Sequence, residues 1–507
     1  MNVCSAKSSR SAEKRCCDII EKLIDGLNGI IWSMPIIIAI VIIGIYFSIR
    51  LGFFQITHHL DMWKNIFIKK DSDSGISPLA SFFTTMAMRI GVGNVAGVAI
   101  AIYNSGPGSL FWMWVIGFTN SALSFVECTL GQLYKTRIDN EYRCSSSFCI
   151  EKGLGCRWYG VLLTIVFSIG VSCFMPAAAS YTISSAINSA AGIPMWISSL
   201  LIAIALGVII LGGIKRISDV ASRIVPIMTV IYLTMTFIVI IVYYKRLPAV
   251  FGQIIMSAFG KDEMLWGGFA AAFQQGVKRG TFSSASGMGE SIPAASAAET
   301  SHPAKQGLAN AAGVFLDTIV ICTCTGLMIL LPDCFNTASG YNGSQINGCL
   351  EPGEQYIAAA CGSIFGAEFG KWFVALIILL FSFTCIISYY YEAETAMLYL
   401  FKNDSMKGTR RIVKTILKTL MICLVFLYGT AQSSIAWKIS DTALGLTTLL
   451  NMVMLLLLSK NAFELFTDYS RQRKNGEDPW FNPSAHNLDG VDIALWKDIN
   501  KDYIGGL

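Results

Sequence analysis

Arg89-Ile90-Gly91-Val92-Gly93-Asn94 and Arg279-Gly280-Thr281-Phe282-Ser283-Ser284-Ala285-Ser286-Gly287-Met288-Gly289 each interrupt a long apolar segment with glycine and small polar residues. A helix crossing lipid has no reason to carry such sequence at mid-depth, because an unpaired backbone group there costs several kcal/mol. Broken backbone survives in a membrane only where it lines a cavity or binds something. Paired breaks in separate halves of a chain point to the substrate and ion site of a secondary transporter.

The rest of the chain fits that setting. Charged residues make up 14% of its 507 residues, against roughly 25% in soluble domains. Apolar runs of about 20 residues, enough to span a bilayer, recur throughout. They predict helices near 30–53, 78–103, 109–134, 158–188, 194–213, 222–244, 266–299, 306–331, 369–401, 411–430 and 438–459. The expected organisation is a polar N-terminal segment (1–28), a transmembrane domain (29–460) and a cytosolic tail (461–507) in a multi-pass protein of the cell membrane. The first segment has no apolar h-region, so a cleavable signal peptide is not expected. In the tail, Trp480 and Trp496 are expected to dock on the body or the membrane surface.

Basic residues set orientation. Lys135, Arg137, Arg143, Lys152 and Arg157 share one connector, and Lys215, Arg216 and Arg223 another. Lys402, Lys407, Arg410, Arg411 and Lys414 fill a third, and Arg471, Arg473 and Lys474 follow the last span. This side is expected to be cytosolic, with the C-terminus inside and, over eleven spans, the N-terminus outside. Lys7, Arg10, Lys14, Arg15 and Lys22 run against that assignment. The net charge of +5 comes from these loops, and no nucleic-acid partner is expected.

Enzymatic readings find little support. The four histidines, His58, His59, His302 and His486, form no i, i+4 pair, and there is no C-x-x-C. Gly91-Val92-Gly93 misses the dinucleotide fingerprint, and Walker A and G-x-S-x-G patterns are absent. No cofactor is expected. Most of the fifteen cysteines lie in apolar helices as small hydrophobes. Cys334 and Cys349 instead bracket a predicted external loop containing the Asn342 sequon, and either a disulfide or two thiols fits there.

Two readings stand for the breaks and for the charges around them. Gly93 and Gly97 form G-x-x-x-G, a helix-packing motif. The second break, however, adds Thr281, Ser283, Ser284 and Ser286, hydroxyls that dense packing does not need. Arg89, Glu127, Lys278, Arg279, Glu290, Asp317, Glu394 and Asp441 fall within or at the ends of spans, where charges pair or face a pathway. Glu127 and Asp441 fit either role, and Lys278 fits snorkelling as well. Arg89 and Arg279 immediately precede the breaks and read as gate or scaffold residues.

At the breaks the sequence resembles the alanine/glycine:cation symporter family. Arg89-Ile90-Gly91-Val92-Gly93-Asn94-Val95-Ala96-Gly97-Val98-Ala99 is similar to that family's R-V-G-T-G-N-I-A-G-V-A signature. The likeness continues through Ser105-Gly106-Pro107-Gly108, Glu127-Cys128-Thr129-Leu130, Gly287-Met288-Gly289 and Gly313-Val314-Phe315-Leu316-Asp317-Thr318, from roughly Leu27 to Lys460. It implies an all-α membrane protein with a leucine-transporter-like fold. Two inverted five-helix repeats would follow one extra N-terminal helix, about eleven transmembrane helices in all.

The implied function is import of a small neutral amino acid, alanine- or glycine-like, coupled to a cation, with sodium the expected ion, by alternating access. Gly91, Val92, Gly93, Phe282, Ser283 and Ser284 are the expected substrate contacts. Backbone amides would receive the carboxylate, and carbonyls and hydroxyls the ammonium. Asn94, Thr384 and Cys385 would frame cation sites, hard oxygen suiting a hard ion. Departures from the pattern are Val92 for threonine, Ser284-Ala285-Ser286 for N-E-A, Cys385 for threonine and Tyr389 for tryptophan. They motivate a second reading, a receptor on a transporter scaffold that binds its solute without moving it.

Overall fold

The computed structural model describes residues 22–68, 75–260, 268–344, 350–431 and 433–504. Helices dominate. In chain order they are α1 (Met34–Arg50), α2 (Pro78–Arg89), α3 (Val98–Ser105), α4 (Gly108–Leu133), α5 (Ser146–Leu154), α6 (Arg157–Ile169) and α7 (Pro176–Ala191). There follow α8 (Met195–Ile210), α9 (Gly213–Val242), α10 (Leu247–Ala258), α11 (Gly268–Ser284), α12 (Ser291–Ser296), α13 (Pro303–Val314) and α14 (Cys322–Leu330). The last are α15 (Glu354–Phe365), α16 (Ala367–Leu398), α17 (Lys407–Tyr428), α18 (Ser433–Lys474) and α19 (Ile493–Ile499). A short antiparallel hairpin, β1 (Thr136–Ile138) and β2 (Glu141–Arg143), follows α4.

Among the described residues six helices are long and apolar enough to cross a membrane, and up to eight if each of two bent pairs is one span. One bent pair is α2 with Gly93–Ser105, turned by 48° at the first break. The second break divides the expected helix 266–299 into α11 and α12. Ala285, Gly287 and Gly289 there have φ of 48°, 85° and 94°, left-handed values that no helix accommodates. The last span is longer than expected. It continues through α18 to Lys474 because Leu465, Phe466 and Tyr469 stay buried beyond position 460.

Two of the expected basic connectors, 135–157 and 402–414, meet the tail at one end of the molecule. Arg410 Nη1 lies 2.9 Å from Asp139, Lys402 Nζ 2.6 Å from Glu151, and Arg137 Nη2 3.0 Å from Asp498. The tail folds back on this end. Trp496 is fully buried, and its Nε1 donates to Leu133 O at 3.3 Å. The Lys135 ammonium stands 4.9 Å over the Trp496 ring. Phe481 N donates to Ser301 O at 2.8 Å, and Asn500 Nδ2 to both Ser301 O and Phe481 O. Trp480 instead stacks on Tyr503. Cys334 is buried, whereas Cys349 and the N-terminal cluster Lys7, Arg10, Lys14 and Arg15 lie outside the described residues.

Candidate substrate and cation site

The first break is organised by Asn94. Helix α2 starts on Ser77, whose side chain accepts from Ala80 N, with Pro78 in the first turn. It ends at Arg89, and Ile90 leaves the helical region with ψ of 88°. The freed Gly91 N–H donates to Asn94 Oδ1 at 3.0 Å. Gly93–Gly97 then forms one π-helical turn, a conformation common at functional positions. Thr325 Oγ1 donates to the buried Asn94 carbonyl at 2.7 Å.

Glu127 holds the second break. Its carboxylate accepts from Gly287 N at 2.7 Å and Ser291 N at 3.2 Å, satisfying backbone that the left-handed residues release. Asn120, Ser124 and Glu127 occupy i, i+4 and i+7 of α4, one helical face. Each contacts a break or its flank. Asn120 Nδ2 donates to Ser284 Oγ at 3.0 Å, and Arg89 Nη2 donates to Ser124 Oγ at 2.7 Å. Arg89 also donates to Asn310 O at 2.7 Å and Ser291 Oγ at 2.9 Å, tying α2 to α4, α12 and α13. Its side chain is fully enclosed.

The two breaks converge on one carboxylate. Asp317 Oδ1 accepts from Asn94 Nδ2 at 2.5 Å, and Asp317 Oδ2 accepts from Ser283 Oγ at 2.6 Å and Thr318 Oγ1 at 2.8 Å. Asp317 sits in a second π-helical stretch, Phe315–Ile321. The breaks also touch directly, since a Cβ on Gly93 would stand 2.7 Å from Phe282 Cδ1. Gly91, Val92, Gly93, Ser283 and Ser284 are all buried, so both breaks are closed from solvent.

Arg279 bounds the second break from the other side. It makes a bidentate pair with Asp441 at 2.9 and 3.0 Å, and Lys278 reaches the same carboxylate at 2.6 Å. Its guanidinium lies 5.0 Å over Trp437 and 5.9 Å over Phe282, whose rings are 5.7 Å apart. Lys278 therefore pairs within the protein instead of snorkelling.

Of the expected cation residues, Asn94 lies between Gly91 and Asp317. Thr384 Oγ1 donates to the carbonyls of Leu380 and Phe381 on its own helix, at 3.1 and 2.9 Å. Cys385 Sγ meets the end of α2, with Met88 O at 2.9 Å and Ala87 O at 3.4 Å, and would collide with a Cβ on Gly91. Asn120 and Trp437 are neighbours that the expectations did not include, and Asp317, expected only as an intramembrane charge, was not among the expected ligands. A polar i, i+4, i+7 stripe on an otherwise apolar helix was the signal for Asn120. Trp437 had no signal, being one aromatic residue among many. An apolar groove of about 580 Å³, lined by Ile187, Leu201, Trp372 and Phe383 among others, includes none of the break residues.

The chain is similar in sequence to proteins named as amino-acid carriers and symporters. YrbD of Bacillus subtilis (strain 168), assigned by inference as a sodium/proton-dependent alanine carrier, is 39% identical over 482 residues, covering 94% of this chain and 97% of that protein. GlnT of the same organism, assigned by inference as a sodium/glutamine symporter, is 37% identical over 490 residues, covering 96% and 98%. The crystal structure of a manganese transporter mutant from Eremococcus coleocola aligns over 87% of this chain and 94% of that one, at a TM-score of 0.49 and 11% identity. The family model for sodium:alanine symporters matches residues 17–483, and the chain belongs to the sodium:alanine symporter family, a family of membrane transporters and not of enzymes.

Proposed function

We propose that this protein imports a small neutral amino acid, alanine-sized, in symport with sodium, by alternating access. The scaffold read for it is leucine-transporter-like, two inverted five-helix repeats after one extra helix. The observation that carries the reading is the bridging of both breaks by Asp317, one oxygen to Asn94 and the other to Ser283. The Asp317 carboxylate and the Ser283 hydroxyl suit a hard monovalent cation, which needs oxygen ligands, and Asn94 Oδ1 would join them on leaving Gly91 N–H.

The substrate position is the seam between Gly91–Gly93 and Phe282–Ser284. The carboxylate of an amino acid would replace Asn94 Oδ1 as acceptor for Gly91 N–H. Asn120 Oδ1 and Thr281 Oγ1 are buried without hydrogen-bond partners among the described residues and suit an ammonium. Phe282 fills the space before Gly93, which favours a small side chain. Alanine over glutamine follows from that volume, although GlnT shows that its relatives include a protein named for glutamine.

Uptake of labelled alanine, glycine and glutamine into proteoliposomes, with a sodium gradient, a proton gradient or neither, tests this. Sodium-driven, saturable alanine uptake is expected. Saturable binding without counterflow would replace the importer by the receptor reading.

A further inference from the structure

Beside the site lies a group of carboxyls that the transport reading does not use. Glu290 precedes α12 and is 1% exposed, and Glu392 on α16 is 1% exposed. Neither oxygen of Glu392 has a hydrogen-bond partner among the described residues, and neither does Oε1 of Glu290. No ion pair among those residues includes either side chain.

The fold brings the two together. Helices α12 and α16 are in contact, and Tyr391 Oη donates to Pro293 O at 3.4 Å, fixing the turn beside Glu392 against α12. Glu392 lies within the electrostatic reach of Glu290. Cys385, Tyr389 and Glu392 stand at i, i+4 and i+7 on α16, one face, and Cys385 abuts Gly91. This face therefore runs from the first break to the carboxyl pair.

The surrounding charges do not balance. Arg89 from α2 and Glu127 from α4 are the neighbouring ions, with Cys128 beside them and Cys385 and Tyr389 on α16 itself. Glu127 is satisfied by two backbone N–H groups, and the single charge of Arg89 at most offsets it. Two further ionised carboxylates without donors would be strongly unfavourable at this depth. The described residues contain no group of three acidic, histidine or cysteine side chains that could hold a transition metal here. A proton neutralises a carboxyl without needing other ligands.

We propose that Glu290 and Glu392 form a proton-binding carboxyl pair beside the transport site, with its protonation linked to movement of the Gly91 break through Cys385 and Tyr389. The link to transport rests on the importer reading; the binding of protons does not. Opening the site toward the basic end would hydrate the pair and release a proton to water, and closing would take one up.

Two measurements on the full-length protein separate these parts. Infrared difference spectroscopy of the purified protein during pH titration reads carboxylic acid groups without any transport. Acid-band intensity should be present in the parent and fall in Glu392→Gln and in Glu290→Gln. Glutamine has the shape and neutrality of a protonated glutamate, so both variants are expected to fold. An acid band absent from the parent, or unchanged in both variants, overturns the proton site. Sodium-driven alanine uptake against pH then reads the link. One obligatory proton gives up to about a tenfold change per pH unit, and Glu392→Gln should flatten the profile. A parent profile reproduced unchanged by folded Glu392→Gln and Glu290→Gln overturns the link. Absence of alanine uptake at every pH would count against the importer reading alone, because the infrared result is independent of it.

Discussion

Asn94 and Asp317 are joined by a hydrogen bond of 2.5 Å from Nδ2 to Oδ1, across 223 residues of sequence. Asn94 uses its oxygen at the same time to hold Gly91 N–H. One amide thereby connects the backbone break to the carboxylate, and a cation at Asp317 would be felt at Gly91. Asp317→Asn keeps the shape and removes the charge. Half-saturating sodium is expected to rise at least tenfold, equivalent to about 1.4 kcal/mol, with the protein still folded. Sodium-dependent uptake in proteoliposomes checks this, and an unchanged half-saturation would remove Asp317 from the cation path.

Gly93 is where the breaks touch. A branched side chain there would displace Phe282, so Gly93→Leu is expected to abolish transport while the protein still inserts. Gly93→Ala should lose most uptake as well, and Gly93→Ala with Phe282→Leu should recover part of it by restoring volume. Uptake by all three, beside size-exclusion profiles, is the measurement. Half the parent rate in Gly93→Leu would mean that the glycine serves only helix packing.

The architecture was legible where composition forces it. Glycine and hydroxyl-rich interruptions in apolar segments announced both breaks, and the structure places them in contact. The cross-links between elements were less legible, because they depend on which helices become neighbours. Glu127 could be seen as an intramembrane charge, but its partners are two backbone amides of a break 160 residues away. Likewise the tail was visible as polar sequence. Trp496 was expected to dock, but its partner, the Leu133 carbonyl, is a long-range contact that no local pattern specifies.

Asp441 compensates two cations, Arg279 and Lys278, in a nearly dry environment. Removing one partner of a buried pair typically costs about 3–5 kcal/mol, because the remaining charge is stranded. Asp441→Asn should therefore lower thermal stability markedly and disturb Trp437 and Phe282 beneath the guanidinium. A thermal midpoint equal to the parent's would show that Lys278 and Arg279 find other partners.

His486 fastens the tail. Its Nδ1 lies 2.8 Å from Glu464 and its Nε2 3.5 Å from Asp468. The hydrogen bond with Asp468 holds the imidazole above its ordinary pKa, against the opposing effect of burial, and Glu464 adds to the rise. A raised folded value means that this contribution to docking is complete below the unfolded pKa of about 6.5. It is lost as pH rises through the folded value. Limited proteolysis of the tail should accordingly accelerate with pH across that window in the parent, relative to a control cleavage site, and change less in His486→Gln. Parallel profiles would assign the docking to Trp496 and Phe481 alone.

Cys385 offers the last test, because two roles compete for it. Its thiol donates to Met88 O and Ala87 O, carbonyls left free at the end of α2, and this alone accounts for its position. Those same carbonyls are hard oxygen ligands beside Gly91, so a cation seated there would have Cys385 as a soft and weak neighbour. Serine would keep the cap and add an oxygen. If the position contacts the ion, restoring one oxygen contact should lower half-saturating sodium by about one to two decades, from roughly 1–3 kcal/mol for a polar group left unsatisfied. If the thiol only caps the helix, Cys385→Ser should change stability slightly and leave sodium dependence where it was. Uptake across a series of sodium concentrations, in parent and variant of equal thermal stability, distinguishes the two, and an unchanged half-saturation would end the cation role.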